Sequence, residues 1–315
     1  MMQISPETQL FIREHSSDDV RVLALQAKKY PDIDMPTAIT QIAGRKVAAE
    51  KIPSWWEIEK IWYPKHLSLE QCSSEITARY KARLLQGDSL TDLTGGFGID
   101  CSFLATGFKS ATYVERQEEL CEIAAHNFPV LNLNHINIKN EDGVTYLQAM
   151  SPVDCLFLDP ARRNEHGGKT VAISDCEPNV AELEELLLQK ANRVMIKLSP
   201  MLDLSLALKE LKQTQEVHIL SVNNECKELL ILLGQTSPTE ISIHCVNLST
   251  KGTQEEQHFV FTREQEQCSE CTYTDSLETY LYEPNASLLK AGAFRSIAAA
   301  YPVRKLHPNS HLYTS

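Results

Sequence analysis

Apolar and polar positions change rhythm along this chain. Up to about residue 66 the period is helical: over 36–51, Ile39, Ile42, Ala43 and Val47 fall on one stripe. Trp55, Trp56, Trp62 and Tyr63 follow. Beside an amphipathic helix they read first as core and second as a surface on which bases stack. Ser68-Leu-Glu-Gln71 has the capping-box form and opens a predicted helix to about residue 85, with Leu69, Cys72, Ile76, Tyr80 and Leu84 as its buried face.

From Ser89 the pattern becomes strand and helix in alternation. Strands are predicted over 89–93, 111–115, 136–140, 153–159, 193–198, 217–222 and 228–233, with helices over 99–106, 117–127, 143–150, 179–190 and 205–213. Repeated β-α-β predicts a parallel sheet. Only residues 223–227 separate the last two strands. A parallel crossover needs roughly a dozen residues, so this pair is predicted antiparallel. The expected fold class is α/β: a doubly wound, mostly parallel seven-stranded sheet with an antiparallel last strand. A helical region (1–66) precedes that domain (67–236), and a small α+β module (237–315) follows it, with strands over 241–248, 258–262 and 278–282 and a helix over 286–301. The sequence stops at LHPNSHLYTS without a closing element, which reads as a truncated module.

Composition narrows the class. With 43% hydrophobic and 23% charged residues this is an ordinary folded chain, and its longest aliphatic run, 229–233, is far too short to span a bilayer. The start, MMQISPETQL, lacks the basic-then-apolar order of a signal peptide, so a cytoplasmic protein is expected. The nine cysteines are scattered and read as reduced core residues. Only Cys268 and Cys271 have metal spacing, and without a second pair no metal is expected. A net charge of −12 does not advertise nucleic-acid binding, but Glu283 is the last acid, and Lys290, Arg295, Arg304 and Lys305 lie beyond it.

The chemistry gathers at three places. Asp92-Leu-Thr-Gly-Gly-Phe-Gly-Ile-Asp100 follows a strand and opens a helix; its glycines allow a tight turn and close approach of a ligand to the backbone. Glu115, ending the next strand, can accept hydrogen bonds from ribose hydroxyls or be a solvated strand end. Asp142 can accept from an adenine amine or cap the helix it precedes. Asp154-Cys-Leu-Phe-Leu-Asp-Pro-Ala-Arg-Arg163 delivers its polar end to the carboxyl edge of the sheet, where open α/β folds bind ligands. There Asp159 can orient a nucleophile, Pro160 stiffens the loop, and Arg162 and Arg163 can hold phosphate or carboxylate or form salt bridges. Lys197, ending the next strand, is expected to face the same crevice.

Together these residues resemble the class I S-adenosylmethionine-dependent methyltransferases over about 69–234. The resemblance implies that Asp92, Thr94, Gly95, Gly96, Phe97 and Gly98 cradle the methionine part of S-adenosyl-L-methionine. It further implies that Glu115 holds the ribose and Asp142 meets the adenine, with Asp100, Arg116, Gly143 and Asp159 completing the set. Asp159, Pro160, Arg162 and Lys197 are the implied catalytic group. More narrowly, EQCSSEITARYKARLL, DPARR and YLYEPNASLLKAGAF resemble bacterial methyltransferases with a THUMP-like C-terminal domain. That likeness implies an RNA acceptor, with Arg162, Arg163, Lys290 and Arg295 as its contacts. Amine-methylating relatives carry a second proline and an aromatic where Ala161 and Arg162 stand, which removes base stacking from this loop. Cys155 lies inside its strand, so no nucleophile for pyrimidine C5 methylation is evident. The rival readings are an NAD(P)-dependent oxidoreductase, whose third glycine position would be Cys101, and a non-enzymatic RNA-binding protein with a vestigial cofactor pocket. Oligomeric state is not legible.

Overall fold

Among the described residues, six α-helices precede the first strand: α1 (Pro6–Glu14), α2 (Val20–Leu25), α3 (Met35–Lys51), α4 (Pro53–Trp56), α5 (His66–Gln71) and α6 (Glu75–Ala82). Side chains cap the first three, with Ser5, Asp19 and Asp34 each accepting from a first-turn amide. The computed structural model describes residues 4–162, 172–236, 238–251 and 256–315. By its internal packing the chain divides into two units, 1–150 and 151–315.

In the first unit, Phe11, Leu23, Met35, Ala38 and Ile42 bury together between α1, α2 and α3. Trp55 and Tyr63 enter a second cluster with Leu69, Phe97, Ile99, Phe103, Leu120 and Ile123. Trp62 stacks on His126 with ring centroids 3.7 Å apart, and Trp56 is exposed. The core reading therefore holds for Trp55 and Tyr63 but not for Trp56. The single helix expected over 68–85 is two. Ser74 adopts an extended N-cap conformation (φ −76°, ψ 156°), and Lys65, not Ser68, is the N-cap of α5. The break frees Ser73 to turn its hydroxyl inward toward Asp100.

The unit then runs β1 (Ser89–Asp92), α7 (Ile99–Ala105), β2 (Ser110–Glu115), α8 (Glu118–Val130), β3 (Ile136–Asn140) and α9 (Gly143–Ala149). The strands are parallel in the order β1-β2-β3, with Asp92 opposite Tyr113 and Glu115 opposite Asn140. Their carboxyl ends, and the turns that follow, lie along one edge.

The second unit contains β4 (Val153–Leu158), β5 (Ala161–Arg162), β6 (Cys176–Glu177), α10 (Val180–Lys190), β7 (Ala191–Leu198), α11 (Leu204–Glu210), β8 (Thr214–Val222), β9 (Glu225–Gly234), β10 (Ser242–Leu248) and β11 (Gln257–Thr262). β4 and β7 are parallel, and β9 lies antiparallel between β7 and β8, as the short connection requires. That connection is tighter than expected: Asn223 and Asn224, both at positive φ, make the whole turn. All seven expected strands are present. β10 and β11, which the sequence assigns to the C-terminal module, instead continue the same sheet, β10 parallel to β8 and β11 antiparallel to β10.

The chain ends with α12 (Arg263–Cys268), β12 (Leu281–Tyr282), α13 (Ala286–Ala291), α14 (Phe294–Ala300), β13 (Arg304–Lys305) and β14 (Tyr313–Thr314). The last three strands form an antiparallel sheet in the order β12-β14-β13. The helix expected over 286–301 breaks at Gly292, whose φ of 74° ends α13 in a left-handed cap. The fold is thus mixed α/β and mostly parallel, with a helical N-terminal region and a small C-terminal antiparallel sheet. Among the described residues no helix is long and apolar enough to cross a membrane.

Candidate functional site

The turn after β1 closes on itself. Asp92 Oδ1 accepts from Thr94 N at 3.0 Å, Gly95 N donates to Val114 O at 2.8 Å, Gly96 N donates to Glu115 Oε2 at 2.9 Å, and Gly98 N donates to Gly95 O at 2.8 Å. Gly96 (φ 53°) and Gly98 (φ 88°) occupy the left-handed region that glycine enters without steric cost. Gly95 is needed for a different reason. A Cβ there would stand 2.2 Å from the Tyr113 ring, whose hydroxyl donates to Gly96 O at 2.5 Å. Burial, then the Glu115 charge, pushes the Tyr113 phenol well above its ordinary pKa, so it stays a donor.

Glu115 is only 8% exposed. Its second oxygen accepts from Gln117 N at 2.8 Å, so two backbone amides pin the carboxylate. This is a built position and not a solvated strand end. A carboxylate offers about four lone-pair directions, so two are left for a ligand. Asp142 does cap α9: one oxygen, Oδ1, accepts from Val144 N and Thr145 N, each at 3.0 Å. Its other oxygen is not used by that cap, and the residue is exposed. Gly143 seats α9 against the end of β1, since a Cβ there would meet Leu93 O at 2.2 Å. The glycine turn, Glu115 and Asp142 are thereby brought to the same edge of three adjacent strands.

Other expected cofactor residues are placed differently. The Phe97 ring is in the core, edge-on to Trp55 at 5.2 Å, so only its backbone belongs to the turn. Asp100 is held inside the protein by the fully buried Lys81 (2.9 Å) and by Ser73 (2.7 Å), with Lys81 also donating to Ser73 at 2.8 Å. Ser73 and Lys81 are not legible from the pattern, because an apolar-stripe reading of α6 has no place for a buried lysine. Cys101 is buried behind the turn, its thiol pushed well up by burial and then by Asp92 and Asp100. Arg116 is exposed at the end of β2, and its carbonyl accepts from Asn140.

In the second unit, the register of β4 on β7 sets Leu158 opposite Ile196, and the next residue on each strand makes an ion pair: Lys197 Nζ lies 2.5 Å from Asp159 Oδ2. Lys197 is buried and Asp159 partly open. Pro160 is buried, and β5, directly after it, pairs antiparallel with β6. Arg162 is placed by its backbone in β5, and Arg163 lies outside the described residues. Among the C-terminal cations, Lys290 donates to Leu202 O at 2.6 Å and the exposed Arg295 to Gln267 O at 3.1 Å. Arg304 pairs with Glu278, and Lys305 is buried, donating to Pro308 O at 2.6 Å. The stretch that is unopposed in sequence is therefore partly opposed in space. Cys268 and Cys271 are free thiols. The sequence reading also passed over Glu216, His218 and His244, which converge from two strands.

Residues 280–315 match a family model described as a ferredoxin-like domain. No curated protein matches the sequence. Among solved structures, a candidate methyltransferase from Porphyromonas gingivalis W83 is 34% identical with a TM-score of 0.85, over 100% of this chain and 80% of that one. An rRNA methylase from Streptococcus thermophilus matches at 14% identity and TM-score 0.37, over 50% of this chain and 93% of that one. A candidate methyltransferase from Streptococcus mutans in complex with SAH matches at 14% and 0.36, over 51% and 96%.

Proposed function

The chain belongs to the same methyltransferase family as the Porphyromonas gingivalis W83 protein, and from that premise we propose that it binds S-adenosyl-L-methionine at the β1–β3 turns and methylates RNA. The observation that carries the cofactor reading is the closure of the glycine turn. A dinucleotide site offers free backbone amides to a pyrophosphate. Here the amides of Gly95, Gly96 and Gly98 are spent within the chain, and the acceptor for Gly96 is a carboxylate. A phosphate at this turn would meet Glu115 and Asp92, both negative. S-adenosylmethionine has no phosphate and carries a sulfonium and an ammonium, so an acidic rim suits it.

The residues fit that group in detail. Glu115, pinned by two amides, keeps lone pairs for ribose hydroxyls. Asp142 keeps one oxygen for an adenine amine while the other caps α9. We assign the methionine end to the turn that begins at Asp92. When bound, the cofactor would supply a sulfonium methyl whose carbon an acceptor nucleophile attacks in line, the C–S bond breaking to release S-adenosylhomocysteine. The protein's task is then to hold the acceptor at contact distance. We assign that task in the second unit to Asp159, whose carboxylate Lys197 holds in one direction, with Pro160 stiffening the loop and Arg162 serving the acceptor. The RNA reading rests on the motif likeness and on the exposed Arg295; Lys290 and Arg163 are proposed contacts with it.

Calorimetry with S-adenosylhomocysteine and with NADH tests the cofactor. Micromolar binding of the first and none of the second is expected, and the reverse would return the oxidoreductase reading. Turnover tests the acceptor. RNA from a deletion strain, incubated with enzyme and labelled cofactor, is expected to gain one methylated nucleoside by mass spectrometry. Label in protein or small molecules, with none in RNA, would overturn the RNA assignment. Binding without any turnover would leave a vestigial pocket.

A further inference from the structure

β8 and β10 run parallel in the second unit with His218 opposite His244. Directly opposed residues put their side chains on the same face, and a residue two positions earlier on a strand shares it. Glu216 is that residue. The two imidazole rings stack at 4.3 Å and 14°, and His218 Nε2 lies 3.2 Å from Glu216 Oε2. One ligand atom from each of the three residues lies within 4.8 Å of the others. His258, on β11, sets Nε2 3.1 Å from His244 Nδ1.

We propose that Glu216, His218 and His244 form a binding site for a divalent transition-metal ion, with zinc as the reference ion. Two imidazoles and one carboxylate are zinc's ligand chemistry, and they equally suit its first-row neighbours; calcium and magnesium prefer all-oxygen sets. The arrangement is open on one side. His218 is 2% exposed and forms the floor, while Glu216 and His244 are half-buried and form the rim. An ion can enter there and keep a coordination position for water. Ring nitrogens that do not bind the ion need partners that orient the ring, and His258 supplies one for His244. Arg193 holds only Glu216 Oε1, at 2.9 Å, and leaves Oε2 directed at His218. The bound ion would tie β10 to β8 across residues far apart in sequence.

The test uses the full chain, stripped with a chelator and titrated with zinc chloride by calorimetry and by thermal melting. One zinc per chain and a rise in the melting midpoint are expected. Cobalt substitution is expected to give weak d–d bands without the thiolate charge transfer that Cys268 and Cys271 would produce. His244→Gln and, independently, Glu216→Gln are expected to lower zinc affinity by more than about tenfold, the lower end of what loss of even an orienting partner costs, while the metal-free proteins melt close to wild type. Should one variant fail to fold, the other still decides. No zinc binding at millimolar ion, zinc affinity unchanged in the folded variants, or a thiolate band in the cobalt protein would each overturn the proposal.

Discussion

Ser73, Lys81 and Asp100 close a triangle inside the protein, the ammonium fully buried and both its partners within 2.9 Å. A buried pair is weak evidence of net stabilisation, yet removing one member leaves the other's charge uncompensated. Lys81→Ala is therefore expected to cost about 3–5 kcal/mol in urea unfolding, and a loss under 1 kcal/mol would show that water reaches Asp100. Glu115 has a different job. Glu115→Ala is expected to weaken S-adenosylhomocysteine binding by about 1.5–3 kcal/mol, the range for hydrogen bonds to a charged group. Unchanged affinity by calorimetry would remove it from the site. Asp159→Asn keeps the shape of the loop but gives Lys197 a neutral partner; turnover is expected to be lost with cofactor affinity within a few-fold, and full activity would end the catalytic assignment. Glu115 was legible because its place at the end of the second strand is fixed by periodicity alone. Lys81 was not, because its meaning depends on Asp100, one helix and one strand away.

At the scale of elements, the clearest departures lie where side chains do work that local pattern does not record. The two-residue turn between β8 and β9 puts asparagines at both positive-φ positions, where glycine is the common choice for the second. Their side chains explain the choice. Asn223 exchanges hydrogen bonds with Thr250 beyond β10, and Asn224 Oδ1 accepts from Ala286 N at the first turn of α13. Asn224→Gly is thus expected to keep the hairpin and loosen α13, lowering hydrogen-exchange protection there by about 1 kcal/mol, the worth of one hydrogen bond. Equal loosening of β8 and β9 would contradict this. The seven strands of the α/β domain, their directions and the antiparallel β9 followed from alternation and loop length. The breaks at Ser73–Ser74 and Gly292 did not, because an apolar stripe runs on across them. Gly292 is a common cap signal that the stripe overrode. β10 was assigned to another module because a strand's sequence does not say which sheet it joins.

At the scale of the whole molecule, the thiols report accessibility. Cys101, Cys155, Cys176 and Cys245 are buried and Cys268 is exposed. Burial raises Cys245 to about 12, and burial followed by the Glu115 charge raises Cys121 to about 11. Since the thiolate is the reactive form, a thiol reagent at neutral pH is expected to label Cys268 first, read by peptide mapping, with Cys121 and Cys245 labelled only on unfolding. Early labelling of Cys245 would mean that the β10 region opens readily. The seat of Gly95 against Tyr113 has a consequence of another kind. Neither position can vary alone: any side chain at 95 collides with the ring, and a smaller residue at 113 leaves a void under the turn and an unanchored Gly96 carbonyl. In a library randomised at both positions and selected for function, substitutions at 95 should survive only alongside a reduced residue at 113, so the two sites would drift through evolution as one.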